Sequence, residues 1–202
     1  MSNIMGQPLS PIDRQTEHFV LRPFRRRDAE PLHRAVHSSH GELAEFLPWA
    51  HARYSRIDAA NFIKDSNRAW REARAYDFAI RRQSDPDHHL GNVSVWFVSR
   101  GFRSGEIGYW IRSDETGRGI ATEVARQVLH TGFTDLNMHR IILRIAVGNH
   151  SSERVAEKLG FVREGVLREE IKVGGEWLDH SVWGMIEHEF HRIYSAQQSP
   201  IS

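Results

Sequence analysis

The sequence contains no cysteine and no long run of apolar residues. The lack of cysteine excludes disulfides, cysteine zinc sites and a cysteine acyl-enzyme intermediate. The apolar runs are too short to span a bilayer, and residues 1–15 have no apolar core of signal-peptide length. We therefore expect a cytoplasmic protein with no membrane partner.

A strong net charge is also absent. The 202 residues include 27 lysines and arginines and 26 aspartates and glutamates. Because these charges nearly cancel, no overall field favours nucleic acid, and we predict no direct nucleic-acid partner. The hydrophobic content of 40% is sufficient for a buried core.

The 13 histidines do not predict a metal site. His37 and His40 are three residues apart, as are His188 and His191, so each pair can share one helix face. Neither pair has a third ligand nearby, and the zinc-protease motif HExxH is absent. We expect no bound metal.

The hydrophobic periodicity predicts one mixed α/β domain with the order β-α-α-β-β-β-α-β-α-β-β. We expect a loose leader over residues 1–16, the domain over 17–195 and a tail over 196–202. Asp28 is a predicted N-cap for the first helix. Residues 43–52 are predicted to be an irregular aromatic connection, and Gly174-Gly175 the two-residue turn of the last hairpin. Strands are expected at 19–24, 76–82, 90–98, 105–111, 140–147, 162–173 and 177–186, and helices at 28–38, 58–75, 121–133 and 152–159.

The most informative segment is Asp-Glu-Thr-Gly-Arg-Gly-Ile-Ala-Thr-Glu at residues 114–123. It follows a predicted strand at 106–111 and precedes a predicted helix at 121–133. A helix N-terminus has free N–H groups and a partial positive charge, and glycine lets the backbone approach an anion closely. The order strand, glycine loop, helix is therefore typical of a phosphate site, although a GRG tripeptide alone is more often a simple turn.

Four segments in this order resemble the GNAT superfamily of N-acetyltransferases. They are Leu-Arg-Pro-Phe at 21–24 with Asp28, Glu-Ile-Gly-Tyr-Trp-Ile at 106–111, Gly-Arg-Gly-Ile-Ala-Thr-Glu at 117–123, and residues 149–152 running into 156–161. A fifth, at 164–165 and 177–180, is similar to the RimJ/RimL type, which acetylates N-terminal amines of ribosomal proteins. The resemblance implies a GNAT fold, a mixed sheet splayed at an acetyl-CoA cleft with helices on both faces.

The resemblance also implies how acetyl-CoA is held. Backbone N–H groups around Trp110, Ile111 and Arg112 would hold the pantetheine arm, and Asn149 would hold it through its side-chain amide. The pyrophosphate would lie on the glycine loop and helix start, at Thr116, Gly117, Arg118, Gly119, Ile120, Ala121 and Thr122. Threonine at 116 departs from the glutamine or arginine that leads the family motif, while the backbone N–H groups that do most of the binding are unaffected.

Acetyl transfer from a thioester to an amine needs a neutral amine, a stabilised oxyanion and a proton for the departing thiolate. By resemblance, the Ser152 hydroxyl would contact the CoA sulfur and supply that proton, although a helix N-cap would have the same sequence pattern. The candidate bases for the amine are Glu106, Glu169 and Glu170. Adjacent residues of a strand point to opposite faces, so at most one of the last two faces the cleft. A gap-free alignment places Ile171 there instead.

The leading hypothesis is an acetyl-CoA-dependent N-acetyltransferase that acts on the α-amine of a protein or peptide. An α-amine has a free pKa of about 8 against about 10.4 for lysine, so a weak base is sufficient. The first alternative is a small amine such as an antibiotic, polyamine or amino-acid derivative, and the second is an acyl-CoA-binding module without turnover. A homodimer is among the assemblies that we consider.

Overall fold

The computed structural model describes residues 9–194, which form an eight-stranded sheet with helices on both faces. The strands are β1 (Arg14–Gln15), β2 (Phe19–Pro23), β3 (Ala75–Arg82), β4 (Gly91–Ser99), β5 (Ser104–Ile111), β6 (Arg140–Ala146), β7 (Val162–Val173) and β8 (Glu176–Ile186). The helices are α1 (Ala29–Ser38), α2 (His40–Phe46), α3 (Arg56–Arg71), α4 (Ile120–His130), α5 (His150–Leu159) and α6 (Glu187–Tyr194). The predicted fold class is confirmed, and the predicted elements occur in the predicted order, with β1, α2 and α6 in addition.

The strand order is β1-β2-β3-β4-β5-β6-β8-β7. Within residues 9–194, β5 and β6 form the one parallel pair, and its register covers Ser104–Arg140, Gly105–Ile141 and Glu106–Ile142. The other neighbouring strands pair antiparallel. The predicted hairpin between β7 and β8 is present, and its two glycines have φ of +58° and +102°.

Alternation along β3 divides the core between the two faces of the sheet. Phe78 and Ile80 join the larger cluster, which packs against α4, α5 and α6, while Ala79 between them joins the smaller cluster beneath α1 and α3. Val124 and Val128 on α4 are fully buried in the larger cluster. Burying such a side chain stabilises the fold by about 1.5–3 kcal/mol.

Three segments differ from the sequence-based expectation. Residues 9–16 were expected to be a loose leader, but β1 pairs with β2, Leu9 O accepts a hydrogen bond from Trp70 Nε1 at 3.0 Å, and Arg14 is 2.7 Å from Asp135. Part of the expected irregular connection is helical in α2, and the chain continues after β8 as α6. The rest of the leader, 1–8, and the predicted tail, 196–202, lie outside the described residues.

Asp28 occupies the N-cap position of α1 but makes no capping hydrogen bond. Its carboxylate instead lies between two buried arginines, 2.7 and 2.8 Å from Arg22 and 3.2 Å from Arg81, and it accepts the Arg25 N–H. Burial opposes ionisation, yet these hydrogen bonds hold the pKa of Asp28 below its usual value. The predicted cap is therefore a buried ion pair that fixes the turn between β2 and α1.

His89 lies beside this ion cluster with no hydrogen-bond partner among the described residues. It is 2% exposed, and its ring centroid is 5.9 Å from those of Phe24 and Trp110. Burial and the charge of Arg81 lower the pKa of His89 well below its ordinary 6.5. The folded protein therefore holds this imidazole neutral.

No helix in the part of the chain that the structure covers is long and apolar enough to cross a bilayer.

We predict that His89 makes the fold sensitive to mild acid. Below pH 6.5 the unfolded chain protonates this imidazole while the folded chain does not, so the free energy of unfolding decreases by up to about 1.4 kcal/mol per pH unit. Urea unfolding at pH 7.5 and pH 5 should show a smaller loss of stability in His89→Leu than in the wild type. The exposed His188→Leu variant is the control. An equal loss in His89→Leu and the wild type would contradict the prediction.

Candidate active site

The site begins where β5 and β6 separate. Their pairing ends at Glu106 and Ile142, so the remainder of β5 has no neighbour on that side. Arg112 N–H donates to Leu90 O at 2.9 Å, toward β4. Because alternate residues of an antiparallel strand direct their N–H groups to opposite sides, the N–H groups of Tyr109 and Ile111 face the open side.

This alternation corrects two of the predicted cofactor contacts on β5. Trp110 is in register with Asn92, so its N–H faces β4 like that of Arg112. The Arg112 guanidinium is also occupied, at 2.9 and 2.7 Å from Asp114. Of the three predicted N–H groups, Ile111 alone presents one to the opening. Trp110 contributes its ring instead, which lines both cavities described below.

The glycine loop has the backbone that an anion site requires. Gly117 and Gly119 have φ of +76° and +80°, a left-handed conformation that glycine adopts without strain, and α4 begins at the next residue, Ile120. The N–H groups of the first turn therefore point into a cavity of about 830 Å³. This cavity, which we call the loop cavity, is lined by Thr116, Gly117, Gly119, Ile120, Ala121 and Thr122. Arg118 is not among its lining residues, and its guanidinium is 2.9 Å from Glu115.

Asn149 and Ser152 lie at the start of α5, at the junction of the two cavities. Asn149 is the N-cap, since its Oδ1 accepts the Ser152 N–H at 3.1 Å. The interpretation of Ser152 as the cap is therefore wrong, because Ser152 lies in the first turn. The Ser152 hydroxyl and the Asn149 side-chain NH₂ have no role in this cap.

Tyr109 also reaches the junction, although the sequence did not suggest it. Its hydroxyl donates to Ser152 O at 3.5 Å, and Tyr109 is a lining residue of both cavities. Burial raises the pKa of Tyr109 to about 12, so the phenol stays protonated at neutral pH. The tyrosine comes from β5 and contacts the first turn of α5.

A second cavity of about 590 Å³ lies on the other side of the junction. We call it the aromatic cavity because its walls include the rings of Phe46, Trp49, Tyr54, Phe62, Trp96 and Trp110. The Trp96 ring packs over Gly108, where a β-carbon would lie 3.1 Å from Trp96 Cη2. Glycine at this position therefore leaves room for the Trp96 ring.

Charged groups cluster at one wall of the aromatic cavity. Glu106 is 5% exposed and accepts two hydrogen bonds of 2.9 Å from Arg144, whose remaining nitrogen donates to Glu170 Oε1 at 2.7 Å. Burial raises the pKa of Glu106, while the hydrogen bonds and charge of Arg144 oppose this rise. The hydrogen bond to Glu106 is also the largest influence that raises the pKa of Arg144.

The predicted glutamates therefore separate into three situations. Glu106 lines the aromatic cavity, and Glu170 lies behind the wall in contact with Arg144. Glu169 was a candidate base, but it is exposed, has φ of +49° at a β-bulge and lines neither cavity. The bulge interrupts the strict alternation of β7, and Ile171 is the residue of this strand that lines the aromatic cavity.

Two further residues of this wall were missed in the sequence. Arg144 is the single charged residue of the apolar run at 141–147, and that isolation is a signal that the sequence offers. His180, 4% exposed on β8, lines the aromatic cavity and lies within a segment noted only for its resemblance. In residues 9–194, no three His, Asp or Glu side chains converge as metal ligands would.

The model of the acetyltransferase (GNAT) domain family matches residues 18–162 of this chain. The matched region includes the glycine loop, the separated strands and α5. It ends at the first residue of β7, so the hairpin that carries Glu170 and His180 lies beyond it.

Individual relatives are similar over different lengths. The probable N-acetyltransferase YjcK of Bacillus subtilis (strain 168) is 38% identical over 112 residues, which cover 55% of this chain and 61% of that protein. The putative ribosomal N-acetyltransferase YdaF of the same organism is 29% identical over 86% of this chain and 94% of its own. Mycobacterium smegmatis RimJ in complex with CoA-disulfide superposes with a TM-score of 0.82 at 27% identity, over 93% of this chain and 96% of that structure.

We predict that Gly119→Asp abolishes the thermal stabilisation given by acetyl-CoA. The variant places a carboxylate beside the N–H groups that face the loop cavity, where it repels a pyrophosphate. Gly174→Asp is a matched control, since Gly174 also has positive φ and open space around its α-carbon but lies in the β7–β8 turn. Melting curves with and without acetyl-CoA measure the effect. Full stabilisation of Gly119→Asp would place the cofactor phosphates elsewhere.

Proposed function

The chain belongs to the GNAT acetyltransferase family and is an acetyl-CoA-dependent N-acetyltransferase, and from this premise we propose that its acceptor is the N-terminal α-amine of a protein or peptide. Within this class of acceptors, we propose a ribosomal protein. The observation that carries it is the aromatic cavity, which meets the loop cavity at Tyr109, Trp110, Asn149 and Ser152.

The charge balance of the aromatic cavity favours one ammonium group over several. Its lining contains the carboxylates of Glu106 and Asp58 and one arginine, Arg144. Arg144 pairs with Glu106 and also with Glu170 behind the wall, so the lining residues themselves retain about one negative charge near neutral pH. A peptide N-terminus carries one positive charge and an otherwise uncharged backbone, whereas a polyamine carries several charges that need separate carboxylates.

The acetyl donor is assigned to the loop cavity. The pyrophosphate lies on the backbone of Thr116–Thr122 at the start of α4, where the N–H groups and the helix dipole favour an anion. The pantetheine arm passes through the gap between β5 and β6, beside Ile111 N–H and the Asn149 amide. The thioester then reaches the junction, where the Ile111 or Tyr109 N–H is available to polarise its carbonyl.

The neutral amine attacks the thioester carbonyl directly, which forms the C–N bond and breaks the C–S bond. The CoA sulfur leaves as a thiolate, and the Ser152 hydroxyl supplies its proton. Ser152 is suited to this step because its N–H, not its hydroxyl, completes the helix cap with Asn149. Glu106 faces the amine from the wall of the aromatic cavity, with its carboxylate fixed by Arg144.

We predict that α-amines are acetylated in preference to lysine and polyamine nitrogens. At pH 7 the neutral fraction of an α-amine exceeds that of a lysine by roughly 10²-fold, because their free pKa values differ by about 2.4 units. Release of CoA should be measured with three acceptors. The first is a lysine-free peptide with a free N-terminus, the second is an N-acetylated peptide whose one amine is a lysine side chain, and the third is spermidine. Comparable rates for all three would contradict the proposed acceptor and favour a small amine, and no release would favour the non-catalytic alternative.

We predict that Ser152→Ala lowers kcat by roughly 10- to 10⁴-fold, the range found for general acid–base groups. The affinity for acetyl-CoA and the melting temperature should change little, because the cap uses the backbone N–H of Ser152. Steady-state kinetics, calorimetric titration with CoA and thermal melting separate these effects. An unchanged kcat would show that the thiolate takes its proton from another donor.

A further inference from the structure

His180 is a buried imidazole whose surroundings fix its protonated nitrogen. Its Nδ1 lies 3.2 Å from Leu178 O. Since a carbonyl oxygen can only accept a hydrogen bond, Nδ1 carries the hydrogen in the neutral ring and Nε2 keeps its lone pair. The residue lines the aromatic cavity, where the amine of the proposed function binds.

Glu170 lies behind His180 in the position of an orienting carboxylate. Its Oε2 is 3.7 Å from His180 Nδ1, is buried and accepts no hydrogen bond from residues 9–194. Its Oε1 is held by Arg144 at 2.7 Å. The imidazole at 180 therefore has a carboxylate oxygen without a hydrogen-bond partner 3.7 Å from its Nδ1, in the place where such an oxygen orients the ring.

Glu106, the glutamate that lines the cavity, is held by Arg144, although burial raises the pKa of its carboxyl group. Both oxygens of Glu106 accept hydrogen bonds from Arg144 at 2.9 Å, and a proton on that carboxylate would disrupt one of them. Three charged groups on neighbouring strands face the imidazole or its partners: Glu170 on β7, Arg144 on β6 and Glu106 on β5. On β8 itself, the Asp179 carboxylate accepts the Glu169 N–H.

We propose that His180 is the general base of the acetyl transfer, with Glu170 as a positioning residue that acts through it. The assignment rests on the proposed use of the aromatic cavity by the amine, and it holds for any amine that binds there. His180 Nε2 takes one proton from the substrate ammonium, and the imidazolium later releases it to water. The neutral nitrogen forms the amide bond and loses its second proton, which replaces the proton that Ser152 gives to the CoA sulfur.

The first experiment compares pH–rate profiles of kcat/KM for the wild type, His180→Gln and Glu170→Gln. The exposed His188→Gln variant is the control. We expect His180→Gln to lower kcat/KM by roughly 10²- to 10⁴-fold and to lose the wild-type decrease at acidic pH, with the affinity for acetyl-CoA retained. Glu170→Gln should shift that decrease and cost less activity. If His180→Gln keeps the wild-type rate and profile while Glu106→Gln loses them, the proposal is overturned.

The acceptor in these assays is whichever of the N-terminal peptide and spermidine the wild type acetylates. Activity with spermidine alone would contradict the proposed acceptor class while still testing His180.

A second measurement does not depend on turnover or on the folding of a variant. Nitrogen and carbon NMR of the histidine rings in the wild type, with His180→Gln used only to assign the signal, reports the tautomer of His180. We expect the Nδ1–H form at neutral pH, with Nε2 unprotonated. An Nε2–H tautomer would leave no lone pair toward the cavity and would overturn the proposal.

Discussion

The separation of β5 from β6 is the constraint on which the rest of the site depends. Parallel strands are held by evenly spaced hydrogen bonds, and here the register extends over three residue pairs only. Beyond Glu106 the N–H groups of Tyr109 and Ile111 have no strand to pair with, so they are available to a ligand. The helices that follow the two strands, α4 and α5, begin on either side of the gap. The loop cavity and the aromatic cavity consequently meet at one place.

Two clusters of charged residues, one centred on Asp28 and one on Arg144, stabilise the sheet face that carries α1–α3. In one, Asp28 lies between Arg22 and Arg81 and fixes the chain between β2 and α1. In the other, Arg144 lies between Glu106 and Glu170 and ties β5, β6 and β7 together where the first two diverge. Removing one member of a buried ion pair typically costs about 3–5 kcal/mol, because the partner charge remains uncompensated. The second cluster therefore both supports the opening and orients the charged wall of the aromatic cavity.

The two halves of the site differ in how they relate to the family. The loop cavity, to which we assign the acetyl donor, is made largely of backbone groups, namely the glycine loop, the first turn of α4 and the free edge of β5. Backbone sites tolerate side-chain change, which is why Thr116 in place of glutamine or arginine leaves the geometry of the loop intact. The aromatic cavity is made largely of side chains, which come from α2, α3, β4, β5, β6 and the β7–β8 hairpin among others.

The sequence by itself determined the order of the main strands and helices, the glycine loop, the hairpin turn and the assignment to an acetyltransferase superfamily, but not β1, α2 or α6. Each depends on local signals, such as the period of apolar residues, glycines that need positive φ, and short motifs at fixed positions. The ion pair of Asp28 was not predicted, because an aspartate that caps a helix and an aspartate in a buried ion pair have the same local sequence pattern. The N-cap role of Asn149 was not predicted either.

Only the tertiary structure decided which side chains share the site. Arg144, Glu170, His180 and Tyr109 come from four different strands, and their meeting depends on strand order and register, which the sequence does not state. Strict alternation of a strand predicts that only one of Glu169 and Glu170 faces the cleft, but it does not say which one. The β-bulge in β7 decides this, because it leaves Glu169 exposed and Glu170 beside Arg144. The pairing of strands that are distant in the sequence sets these positions. Glu106, Arg144 and Glu170, which share no sequence motif, therefore form one charged wall.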